Sequence, residues 1–168
     1  MNKLLLLISF FITSIFALEP IAPLPTSLND INLEKAKLGR LLFLDPTLSS
    51  DKTISCHSCH SFDSGGADPR AVSVGVHGRK GDIQSPTVYN SRYNFKQFWN
   101  GRASSLKEQV DGPLSAHVEM NMSPEKIESR LNKKSILKKS ITPSVSLQQM
   151  LLMLLLSLKS PYHTKQPF

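Results

Sequence analysis

The sequence predicts a mainly α domain of short helices joined by long loops. Apolar residues recur at helical spacing only in short segments, and strand signals are weak throughout. Residues 61–86 are rich in Gly, Ser, Asp and Pro and hold no convincing helix. There are no internal repeats.

The elements follow in order. Residues 1–17 open with Lys3 as a short positive region. An apolar run from Leu4 to Phe16 follows, broken only by Ser9, Thr13 and Ser14, and it ends at the small residue Ala17. That is the layout of a secretory signal peptide, too short to span a bilayer comfortably. Cleavage after Ala17 would leave the mature chain in a bacterial periplasm with no stable membrane span. The alternative is an N-terminal membrane anchor, a reading that Ile15, near the end of the run, keeps open. Residues 18–29 are Pro-rich and read as an extended lead-in. "NLEKAKLGRLLFLDP" reads as an amphipathic helix with Asn32 as N-cap and Leu38, Leu41 and Leu42 at helical spacing, stopped by Asp45-Pro46. A loop as long as residues 61–86 in a compact domain usually wraps something. In "FWNGRASSLKEQV" an aromatic-Gly turn precedes a helix start, with Ser105 and Glu108 at capping-box spacing. "MSPEKIESRL" begins another helix, with Ser123 as N-cap and Pro124 and Glu125 in its first turn.

Without its signal the chain would keep about 150 residues, enough for one domain with a single core. The net charge of +7 is uneven: residues 131–168 hold six lysines and no acid, so the body is nearly neutral. A basic patch with interleaved aromatics is absent from that body, which argues against nucleic acid as a partner.

Both cysteines lie in "TISCHSCHSFDSGG". Zinc would need further ligands, and there is no second cysteine pair and no H-x₃₋₅-H spacing. A thioredoxin-like redox pair needs a βαβ context that the pattern lacks. A disulfide between Cys56 and Cys59 is compatible with export but leaves His60 unexplained. Attachment of one covalent haem c uses every residue: Cys56 and Cys59 form the thioethers and His60 is the proximal iron ligand. His57 fills an "x" position and reads as an exposed side chain.

Five motifs then follow in order: "LGRLLFLDPTLSSDKTISCHSCH", "SVGVHGRKG", "SPTVYN", "FWNGRASSLKEQ" and "GPLSAHVEMNMSPE". From about Leu33 to Arg130 the chain resembles the N-terminal, cytochrome c-like haem domain of bacterial di-haem cytochrome c peroxidases, close to the MauG group. The resemblance implies a peroxidatic haem in this domain and an electron-donating haem in a following one. Reduced c-type cytochrome or a similar donor would supply electrons, hydrogen peroxide would be the substrate, and the assembly would be a homodimer. It implies Glu119 as the distal acid–base residue, Gln109 as the distal glutamine, Pro113 in the same distal wall and Trp99 between the haems. His77 would be a removable distal iron ligand, although the family's usual "SVGHG" places its histidine where Val76 stands. The alternative for His77 is an ordinary loop histidine. Gln84 replaces an asparagine that helps bind an inter-domain calcium, which leaves calcium in doubt.

Beyond Arg130 the sequence reading finds no such motif, and residues 131–168 form a basic, apolar tail, as a frameshift or premature end would produce. The chain has only two cysteines, so a second c-type haem has no attachment motif. Two other functions compete with peroxidase. One is a mono-haem electron carrier with Met120 or Met122 as a permanent sixth ligand. The other is an inactive fragment. His117 reads as solvent-facing.

Overall fold

The computed structural model describes Leu24 and residues 32–133; residues 1–17, expected as a signal peptide, and residues 134–168 of the tail lie outside the described residues. Five α-helical segments are found there: α1 (Leu33–Phe43), α2 (Cys56–Cys59), α3 (Leu106–Gln109), α4 (Asp111–Ser115) and α5 (Pro124–Asn132). Among the described residues there is no strand, only isolated bridges at Ser61–Ala67, Val74–Lys80 and Gln97–Ala103. The mainly α expectation holds. No described helix is long and apolar enough to cross a membrane.

Helix α1 buries Ala36, Leu38, Leu42 and Phe43, but Leu41 is 55% exposed, against its expected place on the apolar face. At about 100° per residue the buried arc runs from Leu38 to Ala36, and Leu41 falls roughly 60° outside it. Asp45 ends the helix and caps the turn Pro46–Leu48, its carboxylate accepting from Thr47 N–H at 3.0 Å and Thr47 Oγ1 at 2.8 Å. The Ser105 cap also holds: its hydroxyl accepts from Glu108 N–H at 3.2 Å. The Glu108 carboxylate, however, reaches one residue further back and accepts from Ser104 N–H and Oγ, both at 2.8 Å.

Ser123 caps α5, with Pro124 in its first turn. The helix buries Ile127 and Leu131 against Leu38, Leu42, Leu48, Val110, Leu114, Met120 and Met122. Arg130 fixes its angle by donating to Thr47 O at 2.7 Å and to Ser49 O and Ser50 O. A smaller cluster joins Phe43, Val88 and Leu106, and Cys56 packs against both clusters. The first cysteine therefore borders both parts of the core while staying partly exposed.

Candidate functional site

Helix α2 is one turn long, and its ends are held by short local bonds. Ser58 Oγ accepts from Ser55 N–H at 3.0 Å, and His60 N–H donates to Cys56 O at 3.0 Å. His60 then leaves helical geometry at φ −132°. Its Nδ1 lies 2.9 Å from Pro86 O and 3.3 Å from Gly66 O. With Nδ1 donating to those carbonyls, Nε2 keeps its lone pair, the arrangement that orients an imidazole toward a metal. Burial also holds the imidazole below its ordinary range, which keeps it neutral.

The long loop supplies those carbonyls, as a wrapping loop should. Val88 N–H donates to Gly66 O at 3.0 Å and Thr87 Oγ1 to Gly65 O at 2.6 Å, so residues 65–66 are tied to 86–88. A Cβ on Gly66 would meet the Tyr89 ring at 3.0 Å, and its φ of +74° also favours glycine. Two contacts here were not legible in the sequence. Asp68 is 1% exposed and takes Arg70 Nε at 2.7 Å, Nη2 at 2.6 Å and the Arg70 backbone N–H at 2.9 Å. Arg70 Nη2 also donates to Ser58 O at 3.2 Å, clamping the loop onto α2.

One cavity of about 400 Å³ unites most of the predicted residues: Cys56, Cys59, His60, Gln109, Glu119 and Trp99 all line it. Pro113 lines it too. Both thiols are free, and burial pushes Cys56 up to about 12 and raises Cys59. Among the described residues no group of three His, Cys, Asp or Glu side chains could hold a metal ion. Burial also raises Glu119 above the usual carboxylate range, and the charge of Arg102 opposes this only in part. Arg102 lines the cavity with its guanidinium 3.3 Å from the centre of the Phe98 ring. It stands in the quoted "FWNGR", but nothing local told it from a surface arginine.

Other residues stand apart. Trp99 is 65% exposed at the rim, its Nε1 donating to Gln84 O at 2.9 Å, while the Gln84 amide donates to Asp68 O at 2.6 Å. His77 does not line the cavity. It is exposed at φ +55°, its N–H donates to Asp51 Oδ2 at 2.7 Å, and its Nδ1 lies 3.5 Å from that oxygen. The wholly buried neighbour is Val76, because the backbone turns over at the next residue. His57 is not the exposed side chain expected: it packs edge-on to Phe62 at 4.9 Å and its Nε2 accepts Phe62 N–H at 3.3 Å. His117 is exposed, as expected. Met122 is buried in the core away from the cavity, whereas the equally buried Met120 borders it.

These residues fit a c-type haem. Two thiols and an imidazole with a free Nε2 face one largely apolar cavity within the ~300–1,000 Å³ range of cofactor sites. Ser91 Oγ is buried in its wall without a hydrogen-bond partner, and Lys96 and Arg102 line it as well. A hydroxyl and two cations are what a cofactor's carboxylates require.

The comparisons with known proteins agree with that chemistry. Over 102 residues the chain is 47% identical to the cytochrome c peroxidase Ccp of Escherichia coli (strain K12), covering 61% of this chain and 22% of that protein. It is 37% identical over 111 residues to the methylamine utilization protein MauG of Methylophilus methylotrophus, covering 66% of this chain and 33% of that one. The chain thus spans a third or less of the length of these relatives. A crystal structure of a MauG-like protein associated with microbial copper homeostasis superposes with a TM-score of 0.73 at 26% identity, over 86% of this chain and 47% of that one. The family model for di-haem cytochrome c peroxidase matches residues 33–150, past the Arg130 at which the sequence reading ended. That match covers well over half of the sequence, and on that ground the chain belongs to the di-haem cytochrome c peroxidase family.

Proposed function

We propose that this chain supplies the peroxidatic haem half of a cytochrome-c peroxidase, which reduces hydrogen peroxide to water with electrons from a reduced c-type cytochrome or a similar donor. The observation that carries the reading is Glu119: a half-buried carboxyl with a raised affinity for its proton, lining the same cavity as Cys56, Cys59 and His60.

Cys56 and Cys59 would hold one haem c covalently, with His60 Nε2 on the iron. When bound, the haem would offer its iron to peroxide and pass on the electrons that the donor supplies. The chain's own residues do the rest. Glu119 takes the proton from one peroxide oxygen and returns it to the other, general acid–base work that typically contributes ~10²–10⁴ in rate. Gln109 donates a hydrogen bond to the charge that develops there. Trp99, at the rim, offers a path by which electrons enter. His77 could ligate the iron only if its loop released Asp51 and turned inward, so the geometry favours a distal side left to Glu119 and Gln109. Export to the periplasm and homodimerisation belong to the same proposal; calcium does not, since Gln84 stands where the family places its asparagine.

Met120 gives the electron-carrier alternative one supporting observation, because it borders the cavity. Single-turnover kinetics of Glu119→Gln separate the two readings. The peroxidase reading expects normal haem incorporation and a peroxide reaction slowed by ~10²-fold or more. An unchanged rate, or a methionine-ligated low-spin spectrum, would sink it.

A further inference from the structure

Residues 74–80 carry a histidine that stands outside the cavity, yet their hairpin is built against the turn that carries Glu119. The bridge between Val74 and Lys80 and the bond from Gly75 N–H to Arg79 O, at 2.8 Å, close the hairpin. Val76 N–H donates to Glu119 O at 2.9 Å, and Arg79 Nη1 donates to His117 O at 3.1 Å. Between them Gly75 comes so near that a Cβ there would lie 2.1 Å from Val118 O and 2.7 Å from Glu119 Cα. The turn before α2 braces the same assembly: Asp51 Oδ2 accepts His77 N–H at 2.7 Å, and Ser50 N–H donates to Met120 O at 2.9 Å.

Gly75 has φ −98° and ψ −157°, extended backbone that any residue adopts. Its missing side chain therefore serves the close approach and not the backbone angle. Glu119 itself lies in a turn between α4 and α5, so no helix of its own fixes the direction of its carboxyl. We infer that the 74–80 hairpin is a clip that sets the position of the Glu119 carboxyl in the cavity, with Gly75 and Arg79 as positioning residues. The inference rests on the reading of Glu119 as the proton carrier. A carboxyl must lie within hydrogen-bond reach of the proton it moves, and a displacement near 1 Å can cost ~10²-fold.

The test uses the full chain matured with its covalent haem and two measurements. Amide hydrogen exchange at Val76 reads whether the clip is engaged; the single-turnover rate with hydrogen peroxide reads its effect. In Gly75→Ala the added Cβ meets backbone that cannot give way, so Val76 should lose protection and the rate should fall by ~10- to 100-fold, with the haem spectrum unchanged. Glu128→Ala, at an exposed position of α5 outside the hairpin, is the control, and Val76 protection and the rate should both stay at parental values. If Gly75→Ala does not fold, Arg79→Ala decides, with the same two changes at smaller size and recovery in Arg79→Lys. Parental exchange and rate in the folded Gly75 variant, or lost protection at a parental rate, would overturn the clip. A Glu119→Gln variant as fast as the parent would instead remove the proton-carrier reading, while Val76 exchange would still judge the contact.

Discussion

Two histidines, both picked out by motif, have opposite settings. His60 leaves a helical turn and has its ring held at Nδ1 by two loop carbonyls, 2.9 and 3.3 Å away, with Nε2 left to the cavity. His77 sits at φ +55° on a hairpin tip, its backbone N–H held by Asp51 Oδ2 and its half-exposed ring turned to the same carboxylate, with Nδ1 3.5 Å away. Ligand competence is thus set by where the surroundings aim the ring. Fixing His60 at Nδ1 leaves Nε2 for the cavity. Asp51 instead holds the His77 ring outside it.

The largest effect should come from breaking the competent side. Cys56→Ala with Cys59→Ala should abolish covalent haem, while the parent gives one haem per chain by pyridine haemochrome; haem that leaves the parent in acidified acetone would refute the attachment. The next effect sharpens what the cavity does. The peroxide reaction should fall at acidic pH with a midpoint above the ordinary glutamate range, because burial raises Glu119 and the reaction begins with its charged, proton-accepting form. Stopped-flow rates across pH should show that limb in the parent and lose it in Glu119→Gln. A third prediction concerns electrons. Reduction of peroxide to water needs two, and residues 1–168 hold one C-x-x-C-H motif. Steady-state assays of this segment by itself with reduced cytochrome c should therefore give reaction near stoichiometric and little turnover. Turnover near that of an intact di-haem enzyme would show that one haem suffices.

The smaller effects test His77 and its partner Asp51. His77→Ala should change the single-turnover rate by less than about twofold, as for a surface side chain; a clear acceleration would reveal a ligand that must leave. Asp51 is pushed up by burial, but hydrogen bonds from Thr53 and from His77 N–H outweigh this and bring it to about 2. A depressed carboxylate gives stability that is fully present above its unfolded value of 3.8 and lost as pH falls toward about 2. Thermal melts should show Tm dropping through that window, and Asp51→Asn should flatten the drop.

What the sequence made legible was local chemistry. Ser123 before Pro124, Asp45 before Pro46 and the two cysteines with His60 each declare themselves within a few residues. The cavity was legible only through the resemblance, which brought Gln109, Glu119 and Trp99 together across separate segments. Features that depend on closure between distant segments stayed hidden. Asp68 becomes a buried anion because Arg70 covers it and Gln84 reaches its carbonyl, and no pattern in the sequence announces either contact. Arg102 matters because the 98–102 turn faces the cavity, not because it is an arginine. Leu41 was misplaced since three leucines at helical spacing do not say where the buried arc ends.

Cys56 packs against both apolar clusters, so the residue that would be joined to haem is also the seam of the hydrophobic interior. A prosthetic group anchored there acts as the largest side chain of that interior. Without it, the apolar walls that Phe43, Leu106, Val110 and Leu114 supply would face water, so attaching the haem would also strengthen the fold around it.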